Sequence, residues 1–115
     1  MTQKNFVELA GIVGNVRLNE VGGKTYARIS LATNHAYRDA EGTPVISTSW
    51  HCLTCWEGEH VEGLDSLHKG DRIHVTGRLQ YQRYTDESGA DRTNAGIMVQ
   101  TLNRLNLDEP FEMEM

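Results

Sequence analysis

Two tryptophans, and only two, occur in the chain, and both stand in Ser49-Trp50-His51-Cys52-Leu53-Thr54-Cys55-Trp56. Aromatic, β-branched and thiol side chains make this stretch strand-like. Alternation then puts Trp50, Cys52, Thr54 and Trp56 on one face and His51, Leu53 and Cys55 on the other. The face with Leu53 reads as core. The face with two indoles and a threonine reads as a surface on which flat ring systems can stack. Cys52 and Cys55 have the spacing of a metal or redox pair, but residues three apart on a strand point to opposite faces, and no second cysteine pair completes a ligand set. Reduced thiols and no metal are expected. His35, His60, His68 and His74 show no metal-binding or catalytic spacing. No nucleophile stands with a base, no carboxylates pair in a plausible pocket and no glycine-rich phosphate loop is present, so neither catalysis nor a cofactor is expected.

The elements that hold this stretch follow from the rest of the pattern. A length of 115 residues suits one domain, and 38% apolar with 23% charged residues is ordinary for a globular protein. No run approaches a membrane span and no apolar block near Met1 resembles a signal peptide, so a cytoplasmic protein is expected. Phe6 to Val16 reads as a first strand, interrupted by Gly11 and Gly14 in the manner of a bulge or a barrel corner. Lys24 to Thr33 is a second, with Ala27, Ile29 and Leu31 facing one way. Asn34 to Pro44 reads as a polar loop, and Val45 to Trp56 as the third strand. Glu57 to His68 is the one helix-like segment, with Val61, Leu64 and Leu67 at helical spacing. Arg72 to Tyr84 is the fourth strand, Thr85 to Asp91 a hairpin loop, and Arg92 to Leu105 the fifth strand, with Ile97 and Val99 on one face and Met98 and Leu102 on the other. No internal repeat stands out.

Three strands, a short helix and two strands is the order of an OB-fold, a five-stranded all-β Greek-key barrel that commonly binds oligonucleotides. An SH3-like barrel or a short sandwich is the alternative. The barrel is expected to occupy residues 1–105, with 106–115 as a short acidic tail. Net charge is −5, but Asp108, Glu109, Glu112 and Glu114 crowd the end, leaving residues 1–107 with 11 basic and 12 acidic groups. A near-neutral body can still carry a basic track.

Five pieces, in order and with compatible gaps, carry a resemblance. They are Ser30-Leu31-Ala32-Thr33-Asn34 followed by Tyr37-Arg38-Asp39, then Thr48-Ser49-Trp50-His51, then Leu67-His68-Lys69-Gly70-Asp71. Val75-Thr76-Gly77-Arg78-Leu79 follows, and last Tyr84-Thr85-Asp86 with Ser88-Gly89 and Asp91-Arg92. From Phe6 to Leu105 the chain resembles the bacterial single-stranded DNA-binding proteins. The resemblance implies base stacking on Tyr37, Trp50, Trp56 and Tyr84, and stacking is sequence-tolerant because every base has a π-face. Tyr26 and Tyr81 have no counterpart in the family and read as packing residues. Arg38, Arg78, Arg83 and Arg92 are the candidates for phosphate contact. The resemblance also implies that His51 stands at a subunit contact, in a homotetramer or at least a dimer, and that the protein coats unpaired DNA in replication, recombination or repair.

Departures from the family shape the expectation. Cys52 replaces a usual basic residue, Glu57-Gly58-Glu59 stands where a lysine is common, and the last hairpin carries Asp86, Glu87 and Asp91. Fewer cations release fewer counterions, so weaker and less salt-sensitive binding is expected. Asp108-Glu109-Pro110-Phe111 echoes the family's acidic tip, which recruits replication and repair proteins, but Glu112 to Met115 follow it and no long linker precedes it. The competing expectation is a protein-interaction module resembling the primosomal replication accessory protein, with weak DNA binding.

Overall fold

The computed structural model describes residues 2–105; the acidic segment 106–115, with the tip expected at Asp108 to Phe111, lies outside the described residues. Five strands form a closed barrel: β1 (Val7–Val21), β2 (Lys24–Arg38), β3 (Pro44–Trp56), β4 (Arg72–Thr85) and β5 (Asp91–Arg104). Their order around the barrel is β1-β2-β3-β5-β4, and β4 closes back on β1. All contacts are antiparallel except β3 with β5, which is parallel. This is the OB-fold arrangement expected from the element order.

The core follows strand alternation. Ala27, Ile29 and Leu31 of β2, Leu53 and Cys55 of β3, Ile73 and Val75 of β4, and Ile97 and Val99 of β5 are all buried. β1 is shared, pairing with β4 through Val7–Ile12 and with β2 through Ile12–Val21. The crossing point needs Gly11, because a Cβ there would lie 2.3 Å from the Ala32 carbonyl oxygen. Gly14 marks a bulge, as its position suggested: the β1–β2 register shifts between Val13 and Asn15.

Three expectations need correction. The polar stretch Asn34 to Pro44 is mostly strand: β2 runs on to Arg38, which pairs with Pro44, and only residues 39–43 form the loop. This extension is a two-stranded arm wetted on both sides, so no apolar alternation marks it. The helix expected over Glu57 to His68 is a Gly58–Val61 bridge and one 3-10 turn, Leu64–Ser66. Gly63, at φ 72°, breaks any longer helix. Val61, Leu64 and Leu67 are still buried, as a plug for the barrel rather than a helix face. Finally, Leu102 is buried with Ile97 and Val99 instead of facing away. In the β4–β5 ladder Val99 pairs with Gly77 and Thr101 with Thr76, so Gln100 is an extra residue that resets the alternation.

Candidate nucleic-acid interface

β3 and β5 pair at only two positions, Leu53 with Ile97 and Thr54 with Met98. Beyond that root the two strands part. β3 stays with β2 out to the Arg38–Pro44 pair, and β5 stays with β4 out to the Thr85–Asp91 pair. Two hairpin arms therefore fork from the barrel wall. A narrow crevice of about 20 Å³ lies in the fork, lined by Arg28, Cys52, Thr54, Gln80, Gln82 and Asn94 among others.

The aromatic residues singled out in the sequence sit on this wall and on the arms. Trp50 is 62% exposed, Tyr84 52%, Tyr37 42% and Trp56 39%. Trp50 and Trp56 share the outward side of β3, as the alternation required. The Trp50 ring leans over the bulge: a Cβ at Gly14 would approach Trp50 Cζ3 to 2.4 Å and Cη2 to 2.9 Å. One edge of the indole is thus seated against the Gly14 backbone. Trp56 is partly covered. Tyr26, opposite it in the β2–β3 register, packs at 4.8 Å between centroids with planes tilted by 32°. Tyr37 projects from the opposite side of the β2–β3 arm to Trp50, by strand alternation, and lies 6.2 Å from the His35 ring. Tyr84 lies on the outward side of β4, beside Arg92, its partner in the β4–β5 register. Tyr81 is exposed at 67% rather than packed, contrary to its assignment as a packing residue.

The four candidate arginines differ in what holds them. Arg38 donates from Nη1 to the Gly42 carbonyl at 2.9 Å. Arg92 donates from Nε to Asp86 Oδ2 at 2.8 Å. Arg78 shares the outward side of β4 with Tyr84, and Arg83 points to the other side. Arg83, Tyr84, Thr85, Asp91, Arg92 and Thr93 line an open recess of about 450 Å³ at the tip of the β4–β5 arm. Asp86 is held near pH 2 by hydrogen bonds from the Ser88 side chain, from Arg92 and from the Ala90 amide, so it stays ionised.

The two arm tips are built alike, a likeness hidden from a search for longer repeats. Each reads Tyr-x-Asp-x-x-Gly, at Tyr37 to Gly42 and Tyr84 to Gly89. In each, the Asp amide donates to the carbonyl four residues on, and the Gly amide donates back to the Asp carbonyl, all at 3.0 Å. The Asp carboxylate then takes two loop amides: Glu41 and Thr43 on Asp39, Ser88 and Ala90 on Asp86.

His51 is half-buried on the side of β3 away from Trp50, with Nε2 2.8 Å from the Thr33 hydroxyl; burial lowers its pKa. Cys52 is exposed and Cys55 buried, so the two thiols do face opposite ways, and burial pushes Cys55 up to about 12. Residues that sequence reasoning missed are Gly14, which seats Trp50, and Tyr26, which backs Trp56. Gly14 was legible as a bulge but not as a ring contact. Tyr26 was read as a packing residue, but only the register puts it against Trp56.

Comparison with known proteins agrees with the fold. The profile of the Single-strand binding protein family matches residues 4–105. The chain belongs to that family. The Single-stranded DNA-binding protein of Xanthomonas campestris pv. campestris is 29% identical over 103 residues, covering 88% of this chain and 60% of that protein. Single-stranded DNA-binding protein 1 of Chlorobaculum tepidum is 29% identical over 99 residues, covering 84% and 61% respectively. The chain thus spans about 60% of the length of these curated relatives. Among solved structures, the Plasmodium falciparum SSB in complex with ssDNA superposes with a TM-score of 0.80 at 28% identity, covering 92% of this chain and all of that one. A deletion mutant of the Thermus aquaticus single-stranded DNA-binding protein has the same fold, with a TM-score of 0.75 at 23% identity and 91% of this chain covered. Among the described residues no helix is long and apolar enough to cross a membrane.

Proposed function

We propose that the chain binds single-stranded DNA without reading its sequence. Bases lie on Trp50, Trp56 and Tyr84 along the outward wall, and the strand turns around the β2–β3 arm to reach Tyr37. Arg38, Arg78, Arg83 and Arg92 meet the phosphates. The observation that carries this reading is the exposure of all four rings, 39% at the least, on the arms and wall of an OB barrel. Large aromatic side chains left in water are a standing cost unless something flat covers them. Bases do so at about 1–3 kcal/mol each, whatever their identity.

The same reading makes the protein a coat for unpaired strands in replication, recombination or repair, working as a tetramer or a dimer with His51 at the subunit contact. Light scattering tests the assembly. Tryptophan fluorescence tests the binding: single-stranded homothymidine should quench it strongly and duplex DNA should not. One of the four arginines, Arg38, already donates to a protein carbonyl, which favours modest affinity. An absence of quenching at low salt would replace this reading with that of a protein-interaction module.

A further inference from the structure

The two arm tips share one loop lock and differ in one oxygen. Asp39 and Asp86 each use Oδ1 to hold two backbone amides of their own loop. Among the described residues, Asp39 takes no further partner, and the neighbouring Arg38 turns to the Gly42 carbonyl. Asp86 uses its second oxygen, Oδ2, to accept Arg92 Nε at 2.8 Å. A guanidinium gripped at Nε keeps its two Nη groups for a second anion, in the fork geometry that suits a phosphate. Neither Nη of Arg92 has a hydrogen-bond partner among the described residues, and the side chain is 61% exposed. Its register partner is Tyr84, and both line the same recess.

The geometry points to Asp86 as a positioning residue for nucleic-acid binding. Its carboxylate fixes the Arg92 guanidinium so that the Nη edge meets the backbone phosphate of a nucleotide whose base lies on Tyr84. This rests on the DNA-binding reading above and deepens it. It also reverses a sign. Deleting a negative charge from a protein that binds a polyanion ordinarily tightens binding by removing repulsion. Here deletion at Asp86 weakens binding, because the arginine loses its anchor, whereas deletion at Asp39 follows the ordinary rule.

Asparagine separates the two roles. Asp86→Asn keeps a carbonyl oxygen for the Ser88 and Ala90 amides but puts an amide nitrogen, a donor, against Arg92 Nε. Arg92→Lys keeps the charge and lacks the atom that Asp86 grips. Affinity of the full chain for a homothymidine oligonucleotide is measured by fluorescence quenching over a range of salt. Asp86→Asn and Arg92→Lys should each lose about three- to ten-fold, and their double variant little more. The salt slope of each should flatten by about 0.7, one phosphate contact on a single strand. Asp39→Asn should bind as the parent does or more tightly.

Unchanged or tighter binding by Asp86→Asn overturns the inference while leaving DNA binding intact. So does an equal loss in Asp39→Asn, or a loss with the parent's salt slope, since either makes the lock merely structural. If Asp86→Asn fails to fold, Arg92→Lys decides alone, and its parent-like affinity and slope would overturn the inference. A parent chain that does not bind at all removes the underlying reading instead.

Discussion

Replacing Trp50 by alanine should separate binding from folding. The indole is 62% exposed and lies against the Gly14 bulge, so its removal should cost at most about 1 kcal/mol of stability. Its loss as a stacking platform should cost about 1–3 kcal/mol of binding, roughly 5- to 150-fold in affinity. The protein has two tryptophans, so Trp50→Ala leaves Trp56 as the sole indole reporter and Trp56→Ala leaves Trp50. Trp56 already packs against Tyr26 at 4.8 Å. The fluorescence change on adding single-stranded DNA should therefore be larger in the chain that keeps Trp50.

Gly14→Ala extends the test without touching the ring. A Cβ at that position would lie 2.4 Å from Trp50 Cζ3, so the indole must retreat by about 1 Å or more to reach ordinary contact. Binding should weaken, though less than in Trp50→Ala. The readouts are affinity by quenching titration and stability by urea unfolding. Trp50→Ala with parental affinity, together with parental quenching from Trp56 alone, would refute the stacking assignment.

Other expectations are cheaper to check. A thiol reagent under native conditions should label Cys52 quickly and leave Cys55, buried with its pKa near 12, until the protein unfolds; mass spectrometry of labelled peptides reads this directly. His51 should titrate below its ordinary 6.5, because burial opposes the charged ring. The unfolded chain then takes up a proton at 6.5 while the folded one resists. Stability from His51 is accordingly full above pH 6.5 and falls as pH drops toward the folded value; urea midpoints across that window should show the slope, and His51→Gln should flatten it. With four candidate arginines at the interface, the logarithmic salt slope should be no steeper than about −3, and a slope several units steeper would mean cations elsewhere carry the binding.

What the sequence made legible depended on burial of one face. β3 was readable because Leu53 and Cys55 are buried while Trp50, Cys52 and Trp56 are not, so the period of two shows. The arm beyond Thr33 was not, because solvent on both sides removes any apolar alternation, and its ladder of backbone bonds leaves no mark in side-chain type. Leu102 was misplaced because the bulge falls at Gln100, an ordinary polar residue, whereas the bulge at Gly14 announces itself. Tyr37 and Trp50 are both exposed, yet that they project from opposite sides of one arm depends on the register between β2 and β3. Counting aromatic residues does not reveal it.

The acidity of the chain also looks different once its carboxylates have partners. A net charge of −5 argues against a polyanion partner only if the negative charges face it freely. At the two arm tips the two loop aspartates do not. Asp39 is turned into its own loop by two amides, and Asp86 is turned into its loop and paired with Arg92. Away from the arms, Glu8 meets His74 at 2.8 Å, and Asp71 accepts the His68 amide with Arg104 at 3.8 Å. Asp39 and Asp86 thus shape the loops that carry Tyr37 and Tyr84, and their hydrogen bonds draw their charge toward protein donors. An OB barrel joined at β3 and β5 by two residue pairs has arms free to diverge, and arms need rigid tips if their rings are to meet a ligand in a fixed geometry. The same aspartates that weaken the formal case for nucleic-acid binding supply that rigidity.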